Sequence, residues 1–107
     1  MARIIIQIKD KFFEYSTIFD APVTYGMTMQ ELRNYIKEEY GNEGISILTG
    51  RLQRVAMRGT SAQSDLSLEE TIYNNRAGEN EICITEDEIY DRYKKLEEKE
   101  TSCNQGK

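Results

Sequence analysis

Histidine is missing altogether from this chain. Its absence removes the commonest general base and the commonest zinc ligand. Cysteine is scarce, at two residues. Cys83 sits in an apolar, strand-like run and Cys103 in a polar tail, which is neither a disulfide framework nor a metal site. Cys83 is expected to be a buried structural thiol. No apolar run approaches membrane-spanning length, and the opening MARIIIQIKD is too short in apolar residues for a signal peptide. These absences set the expectation of a cytoplasmic protein with reduced thiols. Gly41, Gly44, Gly50 and Gly59 do not follow the spacing of a phosphate-binding loop. Asp65, Glu69 and Glu70 could supply a carboxylate pair, but acids around a short surface helix commonly do. No catalytic, cofactor-binding or metal-binding residue is expected, and an enzyme is not.

What the chain does have is charge, with 31% charged residues against 38% hydrophobic ones, and a net charge of −5. At 107 residues a chain can bury roughly 60–70% of the surface its unfolded form exposes, so one domain with a real core is possible. The acid excess lies at one end. Residues 86–100, EDEIYDRYKKLEEKE, hold seven acids against four bases. That asymmetry argues against general DNA or RNA binding, which favours Lys and Arg over a whole face.

In ARIIIQIK, residues 2–9, Ile4, Ile6 and Ile8 share one face and Arg3, Ile5, Gln7 and Lys9 the other. FFEYSTIF, residues 12–19, is the expected partner strand, ending before Pro22, the only proline. TMQELRNYIKEEYG opens with Thr28 and Glu31 in capping-box spacing. Met29, Leu32, Ile36 and Tyr40 form its apolar stripe, and Gly41 is placed to end the helix. ISILTG and RLQRVAMRG are read as strands turned by Gly50 and Gly59. A helical alternative for the second keeps Leu52, Val55 and Ala56 on one side with arginines opposite. A helical turn then spans Leu66–Ile72, a last strand residues 81–85, and a C-terminal helix carries Ile89, Tyr93 and Leu96.

This order of elements resembles the ubiquitin-like β-grasp superfamily. The local likeness is strongest in DLSLEETIYNNRAGENEICI, where Leu68 and Ile72 would plug the core before the last strand. The resemblance implies an α+β fold: a mixed β-grasp sheet packed on one main helix, plus a C-terminal helix. The expected units are a domain at 1–86, an acidic helix at 87–100 and a tail at 101–107. Ubiquitin and related sulfur carriers end in Gly-Gly, and this sequence contains no such pair. Conjugation and sulfur transfer are therefore not implied.

The candidate site is RLQRVAMRGT. No acid interrupts the chain between Gly44 and Asp65, leaving Arg51, Arg54 and Arg58 as an unneutralised stripe. On a strand, with Val55 and Met57 facing the helix, Arg54 and Arg58 would project from the open sheet face near Ile5, Gln7 and Cys83. The open face is the usual docking surface of ubiquitin-like domains, and Arg pairs carboxylates in two-pronged fashion. The expected function is a non-catalytic adaptor or inhibitor that binds another protein with an acidic surface. Arg51, Arg54, Arg58, Ile5, Gln7 and Tyr93 are the candidate contacts. Alternatives are charges that keep an exposed strand from aggregating, phosphate contacts with Tyr25 or Tyr73 stacking on bases, and a structural homodimer. The C-terminal helix either folds back on the sheet or meets a partner. The Ile-, Glu-, Lys- and Asn-rich composition suits an AT-rich bacterial or phage genome.

Overall fold

The computed structural model describes residues 3–62 and 66–94. Leu96, Cys103, Asp65 and the expected tail lie outside the described residues. The chain is α+β: a three-stranded antiparallel sheet, a long main helix and a short C-terminal helix. β1 (Arg3–Ile8) and β2 (Lys11–Ser16) form a hairpin with Ile6 opposite Phe13 and Ile5 opposite Glu14. Lys9 turns it at φ 56° without a glycine. β3 (Ala21–Pro22) adds to the outer side of β2. An edge position suits Pro22, which has no N–H to donate.

α1 (Met29–Arg58) begins at the expected capping box: the Thr28 N–H donates to Glu31 at 2.8 Å, and the Glu31 N–H to the Thr28 hydroxyl at 3.2 Å. Gly41 does leave the helical path, at φ 66° and ψ −156°, a conformation essentially confined to glycine. The chain re-enters helix at once, however, and runs on to Gly59. Residues 45–58 are thus helix, not the expected two strands. The reason is energetic. A glycine inside a helix is unfavourable by about 1 kcal/mol, whereas burying a Leu or Val contributes about 1.5–3 kcal/mol. Leu48 and Val55 are both buried, and they extend the Leu32–Ile36 stripe along the sheet. Met57, expected to face the helix, is 84% exposed.

Both sheet faces are covered. Ile5 and Phe12 pack under α1 with Leu32, Ile36, Leu48 and Val55. Ile4, Ile6, Ile8, Phe13 and Tyr15 pack under the C-terminal third, with Leu68 and Ile72 against this cluster as expected. Here α2 (Leu68–Tyr73) is followed by a short turn of 3-10 helix and then α3 (Glu86–Arg92). α3 has its own capping box between Thr85 and Glu88, and its Ile89 is fully buried. This helix folds back on the molecule, against the Ile4 face rather than over Ile5.

The expected last strand at 81–85 does not form. The outer edge of β1 is already taken by the segment after α1: Gln7 N–H donates to Gly59 O at 2.9 Å, and Ser61 N–H to Ile5 O at 2.8 Å. Backbone groups of the late segment turn instead to buried Asn75, whose amide bonds both the N–H (3.1 Å) and the carbonyl (2.7 Å) of Ile84. Among the described residues, then, the sheet is purely antiparallel rather than mixed. Cys83 is exposed, not buried.

Candidate functional site: an arginine-lined cleft

With residues 51–58 helical, Arg51, Arg54 and Arg58 fall at i, i+3 and i+7 on one face of α1, where a strand would have split them. That face looks onto a cleft of about 740 Å³ at the Arg3 end of β1. Ser46, Ile47, Gly50, Arg51 and Arg54 form its helical wall; Arg3 and Ile4 come from β1, Thr17 from the end of β2, and Ser61, Ala62 and Leu66 from the connection after α1. No acidic side chain is among these lining residues.

The three arginines of the stripe do different work. The Arg54 Nε–H donates to Ser61 O at 2.8 Å, and Arg58 donates to Ala62 O at 2.9 Å and Leu66 O at 3.0 Å. These bonds tie the connection to the helix C-terminus, whose free carbonyls also favour a cation. Arg58 is therefore a clamp behind the cleft and does not line it. Arg51 is half-buried, and its side chain makes no hydrogen bond or ion pair among the described residues. Burial pulls its pKa below the ordinary value, against the raising effect of Glu14 and with the lowering effect of neighbouring Arg54. Arginine stays charged through such shifts.

Arg3, which was not a candidate, completes the cationic set. Its guanidinium is held 2.9 Å from the carboxylate of Glu14, a fully buried acid on the α1 face of β2. Tyr35 and Tyr40 each donate to that carboxylate at 2.6 Å, their rings edge to face with centroids 6.4 Å apart. The Glu14 bond raises the Arg3 pKa, while burial first and Glu14 second raise those of Tyr35 and Tyr40. Glu14 thus satisfies Arg3 and both phenols, leaving Arg51 and Arg54 as the excess positive charge among the described residues of the cleft.

The remaining sequence candidates lie elsewhere. Ile5 is fully buried beneath α1, so it cannot sit on an open face. Gln7 shares that covered face, and its amide bonds Lys9 O at 3.1 Å. Tyr93 belongs to the opposite layer, where its hydroxyl donates to Ala77 O at 3.3 Å. Glu14 and Arg3 were missed because an acid in a strand is normally taken to face water. A signal did exist: Glu14 shares the face of Phe12 in an aromatic strand. No helix among the described residues is long and apolar enough to cross a membrane. No protein-family model, curated protein or solved structure matches the chain.

Proposed function

We propose that this protein is a non-catalytic binding module, an adaptor or inhibitor, that docks an acidic segment of a partner protein into the cleft between α1 and the Arg3 end of β1. One observation carries this reading: Arg51 is partly desolvated in a cleft that, among the described residues, is lined by two more arginines and no acid. A cation with no hydrogen bond or ion pair among the described residues is stabilised when a carboxylate arrives, and charge-assisted pairs of this kind are stronger than neutral ones. Arg51 and Arg54 are the contact residues, Arg3 the third cation, and Arg58 the residue that positions the far wall. The hairpin and the helix across it also support a reduced β-grasp domain, in which the segment after α1 occupies the edge that a last strand would take.

The test compares the natural protein with Arg51→Glu, both first shown folded by circular dichroism. Affinity capture from the source organism should retain one protein on the natural form and lose it on the variant. Cross-linking should then place an acidic stretch of that protein at α1. Equal capture by both forms would remove the cleft from the function. Recovery of DNA or RNA, with affinity falling log-linearly and steeply as salt rises, would replace the protein partner with phosphates.

A further inference from the structure

The cleft wall carries more than charge. Ile47 stands one helical turn before Arg51 on the same face and is 55% exposed. Gly50 borders them on the same wall, and a side-chain carbon placed on it would meet nothing closer than the Arg54 guanidinium at 3.8 Å. Leu66 supplies a second apolar group from the facing connection. The wall therefore offers an apolar point and a cation one turn apart, with a bare stretch of backbone beside them. Glycine is the residue that permits another backbone to approach closely. Ile47 and Arg51 are separated by about 5–6 Å, the i, i+4 spacing. An extended chain presents every second side chain to the same side, about 6.6 Å apart.

From this match the geometry points to the recognition rule of the cleft: it takes an extended acidic segment in which a large aliphatic residue lies two positions from an Asp or Glu. The carboxylate pairs with Arg51, the aliphatic side chain covers Ile47, and the backbone of the segment runs alongside them against Gly50. The inference rests on the protein-docking role of the cleft and adds the pattern the partner must carry. A phosphate polymer would use the arginines but leave the Ile47 and Leu66 surfaces without a counterpart. The cleft volume, about 740 Å³, is in the range of ligand-sized clefts and accommodates only a short segment.

The experiment uses the full chain, ¹⁵N-labelled, and three seven-residue peptides titrated by NMR. One carries a central Asp with Leu two positions to either side, among serines. The second moves both leucines next to the Asp, and the third replaces them with Ser. The first peptide should bind about tenfold more tightly than the other two, the effect of partly burying one Leu side chain. Its shifts should centre on Ile47, Gly50 and Arg51. Ile47→Ser should abolish the preference while leaving the weak binding of the all-serine peptide. Gly50→Ala should raise thermal stability yet weaken the first peptide, a pair of opposite signs that general loosening of the fold cannot produce. Equal binding of the three peptides, with all of them lost in Arg51→Gln, would overturn the spacing rule while leaving the acidic docking role standing. No response at the cleft to any peptide at millimolar concentration would overturn both.

Discussion

The two faces of the small sheet are built from alternate residues of the same strands, yet they solve different problems. Ile4, Ile6, Ile8, Phe13 and Tyr15 meet only small elements, and among the described residues no charged side chain is buried with them. The α1 face starts the same way, with Ile5 and Phe12, and then buries a carboxylate at Glu14. One face holds the fold together. The other also sets charge in place: Glu14 fixes Arg3 at the cleft and holds two phenols of α1 against the sheet. A buried acid adds little net stability over a well-packed apolar group, so its presence marks the face where polar geometry matters.

The comparison breaks most visibly on the apolar side. Ile89→Ala, which empties the contact of α3 with the sheet, should lower stability by about 3 kcal/mol in urea unfolding. The loss should not vary with pH, and the NMR shifts of Arg51 and Ile47 in the folded protein should stay put. Glu14→Gln should lower stability by about 2 kcal/mol, the range for hydrogen bonds to a charged group. In contrast to Ile89→Ala it should also move the Arg3 and Arg51 resonances. A movement of the Arg3 and Arg51 resonances by Ile89→Ala as large as that from Glu14→Gln would dissolve the distinction between the faces.

Alkaline titration sharpens the same contrast. Tyr15, on the apolar face, has its pKa raised first by burial, with Asp20 next. Tyr35 and Tyr40 are raised by burial and then by their bonds to Glu14. For each, the folded pKa lies above the ordinary value of 10.0, so the folded state keeps its proton longer than the unfolded chain. The stabilisation is complete below the unfolded value and is lost as pH rises from there through the folded pKa. Urea midpoints should therefore hold steady up to about pH 9 and fall above pH 10. Phenolate absorbance should show Tyr35 and Tyr40 ionising earlier in Glu14→Gln, with Tyr15 unchanged.

Much of this arrangement is legible in the residues, and the failures have identifiable causes. The alternation in ARIIIQIK marks both faces of β1, because a period of two is unambiguous over six residues. Thr28 and Glu31 mark the start of α1, since a capping box depends only on local geometry. The α1 continuation misleads because Gly41, Gly44, Gly50 and Gly59 read as punctuation. Only Gly41 and Gly59 have positive φ, and packing of Leu48 and Val55 on the sheet overrides the helix propensity of the others. The arginines stand out for their number and for the missing acids around them. Their meeting in one cleft is not legible until the period changes from two to 3.6, because a strand sends Arg51 and Arg54 to opposite sides. The late segment fails for a tertiary reason: the connection after α1 already holds the free edge of β1, and Asn75, nine residues before Ile84, takes the hydrogen bonds that a strand partner would have supplied.

The smallest expected change in stability is also the most informative. Arg51→Gln removes a half-buried cation that has a like charge in Arg54 nearby and no hydrogen-bond partner among the described residues. Desolvation and repulsion are relieved, while the attraction of Glu14 is lost; Glu14 keeps its bonds to Arg3, Tyr35 and Tyr40. The sum should be stability unchanged or raised by up to about 0.5 kcal/mol in urea unfolding, the range for a surface-proximal substitution that breaks no bond. An arginine retained for the fold would behave in the opposite way, as Arg58 should: its two bonds to the connection after α1 mean that Arg58→Gln lowers stability by about 1 kcal/mol. A loss at Arg51 equal to that at Arg58 would make both arginines parts of the scaffold. A neutral or stabilising result, joined to loss of partner capture, would identify Arg51 as a residue kept at the expense of the fold, as binding residues commonly are.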